Sequence, residues 1–204
     1  MEPIATVIFP TIIWRSTIKC DLDAMSRHIL KYKDLNDGVA LSNYGGWQST
    51  NQDISRDFID WQIALEKAVK SACQQGQLPD LKLYNLWFNV NGFGAYNTVH
   101  NHQDAIISGV FYVQAENEPN TPAINFLDPR GQTCVLQPQQ KKYTLYNSTR
   151  YFYPAIVNRM ILFPSWLSHF VPVNYSKTDR ISIAFNAMLK GKVGEPTNFQ
   201  SANF

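Results

Sequence analysis

Cysteine is scarce in this sequence, and so is charge. The three cysteines, Cys20, Cys73 and Cys134, stand far apart with no Cys-x-x-Cys pair among them. They are too few and too scattered for a disulfide framework, and they read as reduced thiols of a cytoplasmic protein. Charged residues make up only 17% of the 204 positions and leave a net charge of +2. That excludes a solvated, disordered chain and supplies no basic stripe for nucleic acid or an anionic membrane. No apolar run approaches the roughly 20 residues that span a bilayer. The opening MEPIATVIFPTIIWRS has an acidic second residue and a proline, where a secretory leader wants a charged start and an unbroken apolar stretch. Internal repeats, low-complexity tracts and linkers are also missing. What the chain does have is 45% hydrophobic and 13% aromatic residues, enough for one domain over residues 1–204 to bury about 70% of its unfolded surface.

Two segments carry helical periodicity. Leu22, Met25 and Ile29 follow Asp21, with Asp37-Gly38 as a stop; Phe58, Trp61, Leu65, Ala68 and Ala72 form a second stripe, with Ser55 as its cap and Gly76 past its end. After Pro79 the texture changes to short runs rich in β-branched and aromatic residues. These are LKLYNLWFNVN (81–91), IISGVFYVQA (106–115), AINFLDP (123–129), CVLQP (134–138), YTLYN (143–147), NRMILFP (158–164) and RISIAFNAML (180–189). Gly92-Phe93-Gly94, Glu118-Pro119-Asn120, Pro129-Arg130-Gly131 and Asn147-Ser148 punctuate them. TVIFPTIIW near the start is expected to add an edge strand, because Pro10 cannot donate to a ladder. Helical support over about 20–78 followed by a β core over about 81–190 predicts a jelly roll with helices packed on one face.

Three of the four histidines fall in two compact stretches. His100 and His102 lie in YNTVHNHQDAIISGVFYV, and His169 lies in FPSWLSHFVPV. On an extended segment His100, His102 and Asp104 alternate with Asn101 and Gln103 and can share one side. Imidazoles and a carboxylate converging with one distant ligand suit iron, manganese, zinc or copper. Downstream, alternation puts Arg180, Ser182 and Ala184 on one face of a strand and Ile181, Ile183 and Phe185 on the other. An arginine facing a barrel interior is costly unless it meets an anion, which could be a bound carboxylate or an internal acid such as Asp128 or Asp179. Tyr112, Asn89, Asn91 and Asn97 are polar residues near the same region. Trp166 is expected to pack the barrel mouth.

The ordered set HNHQDAIISGVFYV, INFLDPR, FPSWLSH and RISIAFN resembles the iron(II)- and 2-oxoglutarate-dependent oxygenases. The likeness is closest to a small branch with an HxH ahead of SGVYYV, and it extends from Leu81 to Asn186. It implies a double-stranded β-helix with Fe(II) near its open end and 2-oxoglutarate as co-substrate, acting as a dioxygenase that hydroxylates a small molecule or peptide. His169 would be the distal iron ligand, with His102 as its upstream companion. Arg180 with Ser182 would hold the far carboxylate of 2-oxoglutarate, and Tyr112 and Asn97 would contact the same molecule. The superfamily's usual HxD matches His102-Gln103-Asp104, whereas the closer branch uses HxH, so His100 and Asp104 compete for the third ligand position. Two alternatives stand beside this reading: a cupin-like metal enzyme without 2-oxoglutarate, and a jelly-roll binding module with structural histidines.

Overall fold

The computed structural model describes residues 2–54, 56–116, 121–131, 139–194 and 201–203. The expected cap Ser55, the turn at Glu118-Pro119-Asn120, Cys134 and the strand expected over 134–138 lie outside them. In chain order, β1 (Trp14–Thr17) and α1 (Leu22–Asp34) precede β2 (Asn43–Tyr44), β3 (Trp47–Gln48) and α2 (Ile59–Gly76). The strands β4 (Leu81–Asn91), β5 (Tyr96–His100), β6 (Ile107–Gln114), β7 (Ile124–Leu127) and β8 (Arg150–Tyr153) follow. The chain continues through β9 (Arg159–Pro164), β10 (His169–Val171), β11 (Arg180–Leu189) and the short pair β12 (Lys192–Val193) and β13 (Ala202–Asn203). One sheet has the order β1-β9-β6-β11-β4-β3 and the other β2-β5-β10-β7-β8, and their pairings are antiparallel. From β4 onward the chain crosses repeatedly between the two sheets, which is the winding of a jelly roll. Among the described residues no helix is long and apolar enough to cross a membrane.

The larger sheet is covered on both faces. Its outer face packs Phe88, Val90, Phe111, Ile181, Ile183 and Phe185 against Met25, Ile29, Trp61, Leu65 and Val69 of the two helices. Its inner face joins Val110, Tyr112, Ile161 and Phe163 to Phe126, Leu167 and Val171 on the other side of the roll. This double burial explains why IISGVFYV lacks a polar alternation: β6 is buried at every position but its last. Within it Gly109 leaves room for its neighbours, since a Cβ there would run into the Phe185 ring and approach Leu162 Cδ2 to 2.8 Å.

Local chemistry accounts for the helix ends. The Asp21 carboxylate accepts from the Ala24 amide at 2.9 Å and caps α1, with Lys31 and Lys33 in its last turn. That helix ends at Asp34, before the expected Asp37-Gly38 stop. α2 begins at Ile59 and includes Gly76, expected just past its end, as its last residue; Gln77 closes the helix in the left-handed conformation, φ +51°.

Two strand expectations are corrected. Residues 6–13 make no strand: Phe9 has φ +53° and Pro10 follows it, so the edge strand starts only at Trp14, where it pairs with β9. Residues 143–147 form a turn, because the Asn147 carboxamide oxygen accepts from the Thr144 amide at 2.7 Å and leaves Tyr143, Leu145 and Tyr146 exposed. The short strands β5, β8 and β10 were not anticipated. Trp166 is also more exposed than expected, at 54%, while its neighbours Ser165 and Leu167 are buried.

Candidate functional site

The site begins with a strand pairing. His100 closes β5 directly opposite His169 on β10. His102 follows two residues later, its backbone amide donating to the Ser165 carbonyl at 2.9 Å. The ring centroids of His100 and His169 are 4.3 Å apart, and those of His102 and His169 are 5.1 Å apart. One nitrogen from each ring lies within 4.8 Å of the other two.

Each ring is fixed at Nδ1. His100 meets the Thr98 carbonyl at 2.7 Å, His169 the Leu167 carbonyl at 2.9 Å, and His102 the Asn186 side-chain oxygen at 2.7 Å. A carbonyl oxygen can only accept, so Nδ1 carries the proton and Nε2 keeps its lone pair. Burial lowers the pKa of all three histidines, His102 to about 4 and His169 to about 3, so they are neutral near pH 7. Neutral imidazoles with a common tautomer and fixed orientation form a donor set that fits a divalent transition metal.

Asp104 lies apart from this cluster. It is exposed, with φ +60°, so the extended run that would have aligned it with His100 and His102 ends before it.

Arg180 opens β11 opposite Asn91 on β4, and it is 4% exposed. Its guanidinium donates to the side-chain oxygen of Asn91 at 3.2 Å and weakly to that of Asn97 at 3.5 Å. Neither Asp128 nor Asp179 pairs with it. Asp128 takes Arg130 at 2.7 Å, and among the described residues no carboxylate forms a salt bridge with Arg180. Arg180 Nε and the Tyr112 hydroxyl are both buried without a hydrogen-bond partner among the described residues. The Tyr112 hydroxyl and the Arg180 guanidinium are close enough to interact, but not in the geometry of a full hydrogen bond. Desolvation pushes the phenol up to about 12, with the nearby positive charge pulling it partly back, and desolvation also lowers the guanidinium pKa. Ser182 is buried on the same inner face. A buried cation with an open N–H beside an open hydroxyl has the donor chemistry that suits an anion.

The histidines, Arg180, Ser182, Tyr112 and Asn97 line one cavity of about 460 Å³. Behind His102 stands a chain that the sequence reading did not assign. Asn186 accepts from His102 and also from the Ser108 hydroxyl at 2.7 Å, which in turn meets the Ser165 hydroxyl at 2.8 Å. The signal for Asn186 was available, since the alternation that turns Arg180, Ser182 and Ala184 inward reaches it next.

None of the curated proteins matches this sequence. Several solved structures share the fold. A prolyl-4-hydroxylase from Pseudomonas putida is 13% identical, with a TM-score of 0.63 over 89% of this chain and 94% of that one. HygX from Streptomyces hygroscopicus, with nickel and 2-oxoglutarate bound, is 10% identical, with a TM-score of 0.59 over 88% and 83%. A prolyl hydroxylase from Trichoplax adhaerens, in complex with a hypoxia inducible factor peptide fragment, is 13% identical, with a TM-score of 0.59 over 86% and 83%. Residues 85–186, half of the chain, match the family model described as "Putative 2OG-Fe(II) oxygenase". That span runs from the inner face of β4 to Asn186 and so takes in all three histidines and the buried arginine. The chain belongs to this family of iron(II)- and 2-oxoglutarate-dependent oxygenases.

Proposed function

We propose that this oxygenase hydroxylates a C–H bond of a small molecule or peptide, with iron(II) held by His100, His102 and His169. Arg180 and Ser182 bind the distal carboxylate of 2-oxoglutarate, and Tyr112 and Asn97 complete that contact. The observation that carries the reading is the desolvated Arg180, with no carboxylate partner among the described residues. Iron(II), 2-oxoglutarate and dioxygen together supply the oxidant for the C–H bond. The protein's residues do the positioning. Thr98, Leu167 and Asn186 hold the imidazoles in the ligating tautomer. Arg180 presents a planar fork that matches a carboxylate. Phe126 and Phe163, packed around His169, exclude water from its buried side. The helices and the roll act as one catalytic unit. Cys20 and Cys73 are free, and burial raises both thiol pKa values, Cys20 to about 11; such inert thiols support a cytoplasmic setting.

Metal titration of single variants tests the ligand set. His102→Ala, His169→Ala and His100→Ala should each lose stoichiometric iron(II) binding, while Asp104→Ala retains it. Loss of metal in Asp104→Ala with retention in His100→Ala would replace His100 by Asp104 in the site.

A further inference from the structure

We propose that the outer half of the cavity selects an uncharged substrate, one that presents an amide N–H or a hydroxyl to Asn85 beside the carbon to be oxidised. This rests on the reading of the inner half as the metal and co-substrate site. The inner face of the β4–β11 pair is a ladder: Asn91 faces Arg180, Asn89 faces Ser182, Trp87 faces Ala184 and Asn85 faces Asn186. Asn85 therefore sits about 20 Å along the strand from Arg180, at the level of the residue that holds His102. The co-substrate's anchor and Asn85 are at opposite ends of this ladder, with His102 at the Asn85 end. The Trp87 ring lies 5.5 Å from that of His102 and forms the wall between.

Two amide groups here have open valences. The Asn85 side-chain oxygen is buried and has no hydrogen-bond partner among the described residues. Asn51 is exposed at the cavity; its oxygen accepts from the Leu86 amide at 2.9 Å, and its NH2 has no protein partner among the described residues. Both residues line the cavity, with Val39, Leu41 and Trp87 supplying apolar surface. An acceptor and a donor beside an apolar wall match a neutral amide or hydroxyl group. Among the described residues lining the cavity, Arg180 at the far end is the only charged side chain, the three histidines being neutral. A charged substrate group would lose its hydration there and gain no counter-charge. The buried, unpartnered oxygen is a cost to the folded state that a substrate donor removes.

The test compares wild type with Asn85→Leu. The ligand-free variant should melt roughly 2–6 °C higher, because an unsatisfied buried oxygen is removed, and its 2-oxoglutarate affinity should not change. Ligand-observed NMR on the anaerobic protein loaded with metal and 2-oxoglutarate then uses four probe sets: N-acetyl amino-acid methylamides, methyl glycosides, free amino acids and polyamines. At least one of the two neutral sets should bind wild type tenfold or more tighter than the charged sets, and should lose at least tenfold in Asn85→Leu. The set that binds distinguishes an amide from a hydroxyl donor. The proposal is overturned if the charged probes bind as well as the neutral ones, if neither neutral set binds, or if Asn85→Leu neither stabilises the protein nor weakens the bound probe. Failure of wild type to bind 2-oxoglutarate would overturn the underlying reading instead, and this one with it.

Discussion

Replacing Arg180 by methionine removes a buried charge while keeping most of the side-chain volume, and it should drive stability and co-substrate binding in opposite directions. In the ligand-free protein the guanidinium is 4% exposed, donates only to two carboxamide oxygens at 3.2 and 3.5 Å, and leaves Nε open. Exchanging a poorly compensated buried ion for an apolar side chain gains about 1–4 kcal/mol. Against this stands the hydrogen bond to Asn91, worth about 1 kcal/mol. The net expectation is a ligand-free variant as stable as wild type or up to about 3 kcal/mol more so, a rise in Tm of as much as roughly 10 °C. Co-substrate binding should respond the other way. A charged hydrogen bond to a carboxylate contributes about 1.5–3 kcal/mol, so affinity should fall at least tenfold while metal affinity holds. Thermal melts with and without 2-oxoglutarate, on protein loaded with a redox-inert divalent metal, read both effects in one experiment. Wild type should gain about 2.7 kcal/mol at a ligand concentration of one hundred times its Kd, and the variant, bound at least tenfold more weakly, should gain about 1.4 kcal/mol or less. A destabilised variant that still responds to 2-oxoglutarate as wild type does would refute the assignment of Arg180 as the anion's partner.

Two further outcomes follow from contacts around the site. Asn186→Leu should weaken iron(II) binding by about 10- to 100-fold without unfolding the protein, because it frees the His102 ring and its tautomer; metal titration with circular dichroism as the folding control checks it. Gly109→Ala should destabilise by about 1–3 kcal/mol, since the added methyl would force the buried Phe185 ring and Leu162 aside; urea denaturation measures the loss.

The parts of this molecule visible in the sequence are those set by strict periodicity. β11 shows this best: its alternation separates Ile181, Ile183 and Phe185 from Arg180 and Ser182, and the structure puts the first set under the helices and the second in the cavity. The convergence of His100, His102 and His169 needed tertiary pairing. β5 and β10 contribute five and three residues, too short for a pattern of period two to stand out from a turn. Asp104 misleads for a local reason, since its left-handed φ cannot be read from an HQD triplet. YTLYN has the composition of a strand, but the Asn147 carboxamide oxygen captures the Thr144 amide and closes a turn first. The polar chain from His102 through Asn186 and Ser108 to Ser165 joins three stretches distant in sequence, and only the Asn186 link leaves a trace in the strand pattern.

Because β11 separates oil from chemistry residue by residue, it also guards its own alignment. A slip of one position against β4 or β6 would turn Ile181, Ile183 and Phe185, each fully buried, into the polar cavity and drive Arg180 and Ser182 into the helix-facing core. Losing three such burials forfeits about 5–9 kcal/mol before the misplaced charge is counted, comparable to the whole stability of an ordinary domain. Arg180 and its hydroxyl neighbour Ser182 thus act as an error check on assembly: a chain that folds at all has its cavity face turned the right way.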